Sequence, residues 1–227
     1  MHLLPAHYNY YRDAFDPAIG RFAQSDPIGL FGGLNTYAYV ASDPTGLADP
    51  LGLDAIGVVF PDYNVATPIG RQQWGHAGVV VIDPSGRTKY YEYGRYRDNN
   101  CQCGSVRSLP VPDVSIGQDG HPTSQSLNRL LAAVSRQSGQ GGRVSGAYVP
   151  NGNSSAMNDY ARRRMDQNGD PNRKPYGLLT NNCSTFMLDV LKAGGVDTPW
   201  FVDTRPNNVM TGLRNGFPGV DYSPAGH

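Results

Sequence analysis

The feature that most restricts the fold of this chain is the apolar run Val79-Val80-Val81-Ile82, which ends in Asp83-Pro84-Ser85-Gly86. Consecutive β-branched residues favour a strand whose two faces are both covered. Asp-Pro-Ser-Gly is typical of a tight turn, and residues 88–94 after it alternate in polarity. The pattern predicts an antiparallel hairpin with a fully buried first strand and a half-buried second strand.

The rest of residues 54–227 predicts further strands and several helices. Strands are expected at 54–60, 106–111 and 144–149, and residues 67–74 are expected to form a polar loop. Apolar residues at 127, 130, 131 and 134 predict a helix over 124–137 with Ser124 as its N-cap. Helices are also predicted at 154–167 and near 206–213, and the end of the chain from residue 216 is expected to fray. Together these elements indicate the α+β class, with an antiparallel sheet and packed helices.

A lone cysteine follows a polar turn in Thr180-Asn181-Asn182-Cys183, and an amphipathic pattern continues from it to Gly194. The backbone N–H groups at a helix start are unpaired and carry partial positive charge, which favours a thiolate. Cys183 is therefore the predicted nucleophile. Its backbone N–H is the predicted donor to an oxyanion, with help from Asn181 or Asn182.

A thiolate nucleophile needs a base, and the best candidate is His76 in Gly75-His76, at the entry of the buried strand. A third polar group should orient the imidazole ring. Glu92 and, as the alternative, Tyr91 on the next strand are the candidates. The sequence leaves both open because the strand register decides which of them faces His76.

Composition argues against several other classes of function. Nineteen Lys and Arg balance nineteen Asp and Glu, so no basic field indicates a nucleic-acid partner. No apolar run approaches the roughly 20 residues of a membrane span, so stable membrane insertion is not expected. Cys101 and Cys103 are predicted to be plain loop thiols, since they are too close for an easy disulfide and no further ligands at zinc spacing accompany them. Neither a metal nor a cofactor is expected.

Residues 1–53 have a different character, because Asp-Pro turns recur at 16, 26, 43 and 49 between short aromatic-rich segments. This stretch resembles the end of an Rhs/YD-repeat core, a β-cocoon that encloses a C-terminal toxin. The resemblance rests on the terminal Asp-Pro-x-Gly-Leu, matched by Asp49, Pro50, Gly52 and Leu53, with an earlier copy that begins at Asp26.

The Rhs resemblance implies two domains, with a remnant of the core at 1–53 and a toxin domain at 54–227. It also implies self-cleavage after Leu53 by an aspartyl-protease-like site. Asp26 falls where one catalytic aspartate is expected, and the second is expected upstream of residue 1. An upstream Rhs cocoon and a cognate immunity protein are the implied partners.

Residues 75–81 and the piece Asn182-Cys183-x-x-Phe186 together resemble the circularly permuted papain-like fold. That group includes relatives of the NlpC/P60, lecithin:retinol acyltransferase and PPPDE families. The resemblance implies that His76 is the base and Cys183 the nucleophile of a thiol hydrolase. It gives no secure match for the third residue.

The two resemblances imply an antibacterial Rhs-type toxin of the type VI secretion kind, delivered into a target cell and acting in its periplasm or cytosol. The expected activity is thiol-dependent hydrolysis of an amide bond, with peptidoglycan peptide favoured. One alternative is a cysteine protease, deamidase or lipid acyl hydrolase or transferase with a cytosolic target. Another is a non-enzymatic toxin tip in which Cys183 is structural. A nuclease tip would require a metal or acid–base cluster and a basic surface, which the sequence does not display.

Overall fold

The chain divides into two units, Met1–Pro50 and Leu51–His227. The structure, a computed structural model, describes residues 8–10, 13–16, 21–22, 54–67, 70–96, 103–118 and 120–224. In the first unit, β1 (Tyr8–Tyr10), β2 (Asp13–Asp16) and β3 (Arg21–Phe22) form an antiparallel sheet in that order. The predicted cleavage motif lies outside the described residues: Asp26, Asp49, Pro50, Gly52 and Leu53. Cleavage and a domain boundary after residue 53 therefore stay predictions.

The second unit is organised around one large antiparallel sheet. Its described strands along the chain are β4 (Asp54–Phe60), β5 (Val65–Thr67), β6 (Gly70–Gln72), β7 (His76–Ile82), β8 (Thr88–Gly94), β9 (Ser105–Leu109), β10 (Val144–Val149) and β11 (Gly219–Tyr222). Six of them form the sheet, in the order β11-β10-β4-β7-β8-β9, while β5 and β6 form a separate hairpin. The hairpin of β7 and β8 predicted from the Asp-Pro-Ser-Gly turn lies within this sheet.

The described part of this unit also has four α-helices: α1 (Ser124–Ser138), α2 (Ser154–Asp166), α3 (Cys183–Ala193) and α4 (Pro206–Leu213). A single 3₁₀ turn, Gln167–Gly169, follows α2. None of the helices in the described ranges is long and apolar enough to cross a membrane. The α+β class with an antiparallel sheet and packed helices is confirmed.

The helices cover both faces of the sheet. Leu130 of α1 lies in one apolar cluster with Val80 of β7. On the opposite face, α2, α3 and α4 pack together, and Phe186 lies there in a second cluster with Val79. Because neighbouring valines of β7 belong to opposite clusters, every residue of the strand is buried. This confirms the prediction that both faces of β7 are covered.

Two predictions for individual strands were wrong. In β8 the side chains do not alternate between core and solvent, since Lys89 is exposed and the other six residues are buried. Helices on both faces of the sheet are the reason. Residues 67–74 include β6, which pairs with β5, in place of a plain loop.

The predicted start of α1 and the predicted state of the C-terminal segment also differ from the structure. The N-cap of α1 is Thr123, whose side chain accepts a hydrogen bond from the backbone N–H of Ser126; Ser124 is already helical. The C-terminal segment expected to fray contains β11, which pairs with β10 at the edge of the sheet. Backbone pairing with an existing strand orders this segment although alternate residues of it remain exposed.

The topology brings the start of α3 to the end of the sheet where β7 begins. α3 packs against β7 and β8, and β7 opens with His76, which lies opposite Phe60 of β4. The backbone N–H of Ala77 donates to the sulfur of Cys183. A strand start and a helix start therefore meet, and each places a chemically active side chain at the junction.

Candidate active site

Cys183 is the first residue of α3, and a capping box fixes that start. The Asn182 side chain accepts from the backbone N–H groups of Ser184 and Thr185, at 3.0 Å each. In return, the Thr185 hydroxyl lies 2.9 Å from the backbone nitrogen of Asn182 and accepts its N–H. The cap thus satisfies the second and third N–H groups of the helix and leaves that of Cys183 for another acceptor. Cys183 as a whole residue is 4% exposed, so the sulfur lies largely out of bulk water.

His76 lies between aromatic rings and the nucleophile. Its ring centroid is 5.2 Å from that of Tyr63 and 6.0 Å from that of Phe60. Its Nε2 is 3.0 Å from Oε2 of Glu92, and its side chain hydrogen bonds with Cys183. Because Glu92 occupies Nε2, Nδ1 is the ring nitrogen left for the thiol.

Glu92 is the only glutamate of the chain, and it is completely buried. One carboxylate oxygen, Oε2, accepts from His76 and from the Tyr90 hydroxyl, at 3.0 and 2.8 Å. The other, Oε1, accepts from Nε of Arg107 at 2.5 Å. A buried carboxylate is costly unless it is paired and hydrogen bonded, and here both of its oxygens have charged donors.

The electrostatics of these groups favour an ion pair between the cysteine and the histidine. Burial lowers the pKa of His76, but the hydrogen bonds and charges of Cys183 and Glu92 outweigh it and raise that pKa to about 9. Burial raises the pKa of the Cys183 thiol, but His76 and the N–H of Ala77 outweigh it, so the pKa is lowered from its usual value. Burial also raises the pKa of Glu92, yet His76 and Arg107 bring it down to about 2. These shifts all favour a thiolate and an imidazolium next to an ionised carboxylate.

The structure thus brings together three of the predicted site residues: Cys183, His76 and Glu92. Tyr91, the alternative third residue, points to the other face of β8, where its hydroxyl donates to Oδ1 of Asn158 at 3.0 Å. Between the two open candidates, the register places Glu92 at His76. Whether the three residues are catalytic stays a prediction.

The two asparagines before Cys183 have structural partners. The amide of Asn181 donates to the Tyr93 hydroxyl and to the carbonyls of residues 174 and 175. That of Asn182 donates to Thr204 and to the carbonyl of residue 178. Both side chains hold the turn that delivers Cys183. The expectation that one of them helps to bind an oxyanion directly does not fit these contacts.

Three residues at the site were missed by sequence reasoning. The hydroxyl of Tyr96 is 3.3 Å from Nε2 of His76. Arg107 on β9 pairs with Glu92. Tyr176 hydrogen bonds with the Cys183 side chain, and burial followed by the charge of Cys183 raises the pKa of its phenol. Arg107 lies within the strand predicted at 106–111, and Tyr96 follows the strand predicted at 88–94. The pairing of β8 with β9, which the sequence does not give, sets Arg107 opposite Glu92.

The remaining cysteine prediction was wrong for Cys103, which is disulfide-bonded and not a plain thiol. Cys101 lies outside the described residues. Among the described residues, Cys183 is the free cysteine, and no group of three His, Cys, Asp or Glu side chains is arranged to hold a metal ion.

Known proteins resemble this chain in sequence and in fold. Residues 55–198, more than half of the chain, match the family model described as type VI secretion system effector TseH-like. This range contains Cys183, His76, Glu92 and Arg107. The crystal structure of the type VI secretion system effector TseH matches the fold with a TM-score of 0.70 and 36% identity, over 76% of this chain and 93% of that chain.

Two curated toxins are similar to this chain over a shorter segment. Double-stranded DNA deaminase toxin A of Burkholderia cenocepacia is 47% identical over 62 residues, which are 27% of this chain and 4% of that protein. Toxin protein Tse5 of Pseudomonas aeruginosa is 44% identical over 64 residues, or 28% of this chain and 5% of that protein. The chain therefore spans a twentieth or less of the length of these relatives. On the family match and the TseH fold, the chain belongs to the TseH-like family of type VI secretion system effectors.

Proposed function

We propose that this effector is an antibacterial cysteine hydrolase that cleaves an amide bond, with peptidoglycan peptide as the favoured substrate. The observation that carries the proposal is the row of Cys183, His76 and Glu92 at the start of α3. Membership of an effector family supports delivery into a target cell. The arrangement of Cys183, His76 and Glu92 supports thiol chemistry by the effector in that cell.

The first half of the reaction forms an acyl-enzyme. The Cys183 thiolate attacks the carbonyl carbon of the amide, and the C=O π electrons move onto oxygen. The new oxyanion can accept hydrogen bonds from the Cys183 backbone N–H, which the helix cap leaves available, and from the Tyr176 hydroxyl beside the sulfur. The intermediate collapses when Nδ1 of His76 gives its proton to the leaving nitrogen, so that the C–N bond breaks and an amine departs.

The second half returns the enzyme to its starting state. Neutral His76 takes a proton from water, and the hydroxide attacks the thioester carbon. The C–S bond breaks, a carboxylic acid is released, and thiolate and imidazolium are restored. Throughout, Glu92 accepts from Nε2 and holds the ring so that Nδ1 faces the sulfur.

The choice of substrate rests on the resemblance of residues 75–81 and 182–186 to the NlpC/P60 relatives among permuted papain-like hydrolases. The same three groups would equally serve a protease, a deamidase or a lipid acyl hydrolase or transferase, since each activates an acyl group. We also propose that residues 1–53 are the end of an Rhs core, and that a cognate immunity protein protects the producing cell.

The proposal is tested by digesting purified sacculi with the protein and identifying the products by mass spectrometry. The expected products are peptides with one new amine and one new carboxylate. Cys183→Ala and His76→Ala should each abolish their release, while His121→Ala, a matched histidine change outside the site, should leave it intact. Folded Cys183→Ala and His76→Ala proteins that remain as toxic as the wild type would refute the hydrolase and favour a non-enzymatic toxin.

The compartment is tested by directing the chain separately to the periplasm and the cytosol of a susceptible cell. Cell-wall cleavage requires killing from the periplasm. Killing that depends on Cys183 but occurs only from the cytosol would replace peptidoglycan with a cytosolic acyl substrate. Degradation of plasmid DNA or RNA by the wild type, and not by Cys183→Ala, would overturn the proposed reaction class.

A further inference from the structure

We propose that Arg107 is a positioning residue of this site: it holds Glu92 as the charged partner of His76 and thereby helps to keep Cys183 as a thiolate. The inference rests on the proposed function, because it assigns a role within the same thiol site. Nothing in the sequence pattern around residue 107 indicates such a role.

The sheet itself places Arg107 on Glu92. β8 and β9 pair in a register that sets Glu92 directly opposite Arg107, where cross-strand side chains are close enough to interact. Nε of Arg107 is 2.5 Å from Oε1, while Oε2 accepts from His76. The guanidinium and the imidazole thus occupy the two oxygens of one carboxylate, so the carboxylate cannot rotate without breaking a charged hydrogen bond.

Arg107 also covers the hydrogen bond between His76 and Glu92. Its guanidinium carbon lies 3.7 Å from the centroid of the Tyr96 ring, and the Tyr96 hydroxyl is 3.3 Å from Nε2 of His76. The side chain of Arg107 is 41% exposed, whereas that of Glu92 is not exposed at all. Arg107 and Tyr96 therefore lie between solvent and the buried pair, and a planar guanidinium can stack on the ring in a way that an ammonium cannot.

The charges alternate from Cys183 through His76 and Glu92 to Arg107, and this alternation is the physical reason for the positioning role of Arg107. Thiolate, imidazolium, carboxylate and guanidinium follow one another, with a sum of zero. Without Arg107, the three remaining charges sum to minus one in a largely buried site. Protonation of Glu92 or of Cys183 would relieve that excess, and either change weakens the ion pair.

The chain offers a direct measurement because Glu92 is its only glutamate. Labelling with glutamate enriched in ¹³C at the side-chain carboxyl gives one titrating carboxylate resonance in the full chain. The groups that face it are His76, Tyr90, Tyr96 and Arg107. In Arg107→Gln the midpoint of this resonance should move upward by about one pH unit or more, as expected when a neighbouring opposite charge is removed.

The conservative variant separates charge from shape. Arg107→Lys keeps the charge and should stay close to the wild-type midpoint, and Arg162→Gln, which removes an arginine from an exposed pair on α2, should not shift it. A merely structural Arg107 would change the stability of both Arg107 variants without moving the midpoint. An unchanged midpoint in folded Arg107→Gln would overturn the proposal.

The consequence for the nucleophile is read from thiolate absorbance near 240 nm between pH 3 and 8, with Cys183→Ala as the blank. In Arg107→Gln the half-titration point should rise by about one pH unit, the effect of one charge acting through a few intervening groups. If the wild type shows no thiolate in this range, the proposed function fails. If the wild type does and Arg107→Gln titrates identically, only the role of Arg107 fails.

Discussion

Replacing Glu92 with glutamine tests whether the buried carboxylate stabilises the fold through its charge. Its pKa is lowered from 4.5 to about 2, since His76 and Arg107 outweigh the desolvation. At 1.36 kcal/mol per pH unit, this difference corresponds to about 3 kcal/mol in favour of the folded, ionised state. That is a large fraction of the 5–15 kcal/mol that ordinarily stabilises a domain.

The sign of the pH dependence follows from the direction of the change. A carboxyl whose pKa is depressed on folding stabilises the protein above its unfolded pKa, and the stabilisation is lost as pH falls through the folded pKa. Urea unfolding at pH 5.5 should therefore show Glu92→Gln about 3 kcal/mol less stable than the wild type. At pH 2.5 the difference should shrink to about 1 kcal/mol, because the carboxyl is then protonated in the unfolded state and the pH lies close to its folded pKa of about 2.

An exposed carboxylate provides the control. Asp159 forms a surface pair with Arg162, and Asp159→Asn should cost less than about 0.5 kcal/mol at either pH. A loss for Glu92→Gln that is equal at pH 5.5 and 2.5 would mean that shape, and not charge, accounts for it. No loss at all would refute the claim that the folded state favours the ionised carboxylate.

Three further outcomes are expected. Hydrolysis should follow a bell-shaped pH profile that rises as the thiol ionises below its usual pKa and falls near pH 9, where His76 loses its proton; a rate that keeps rising above pH 10 would contradict the ion pair. Asn182→Ala should lower the unfolding free energy by about 1–2 kcal/mol, and Asn182→Ser, which restores the cap but not the amide's bonds to Thr204 and residue 178, should recover only part of that loss, as measured in urea. Gly78→Ala should cost about 3 kcal/mol or more, because the added carbon would lie 2.6 Å from two ring carbons of Tyr90 and closer still to its hydroxyl oxygen. Gly169→Ala, with open space around it, is the control.

Local patterns predicted the secondary structure that carries the site. The helix start at Cys183 follows from an asparagine cap, apolar spacing and a glycine stop, and all three are present. The buried strand that begins at His76 follows from its β-branched run. These features depend on neighbours within one or two turns of chain, which is the range that sequence patterns describe.

Contacts that depend on register could not be predicted in the same way. Residues 91 and 92 point to opposite faces of β8, so a slip of one residue would exchange Tyr91 for Glu92 at the histidine. The sequence contained one unused signal. The chain has eighteen aspartates and a single glutamate, and that glutamate lies among three tyrosines of the strand predicted at 88–94. A buried charge at such a position requires partners, and His76 and Arg107 are those partners.

The same reasoning explains why the role of Arg107 could not be predicted from the sequence. Its role exists only because β9 pairs with β8 in the register that sets Arg107 opposite Glu92. The sequence that connects the two strands, between residues 94 and 105, has no periodic pattern from which this pairing could be predicted. Each hydrogen bond between these groups changes the proton affinity of the next group, so the properties of Cys183 depend on an arginine 76 positions away in sequence. A lone cysteine at a helix start is only a weak indication of chemistry. It becomes a strong one when strands from three separate stretches of the chain supply alternating charges behind it.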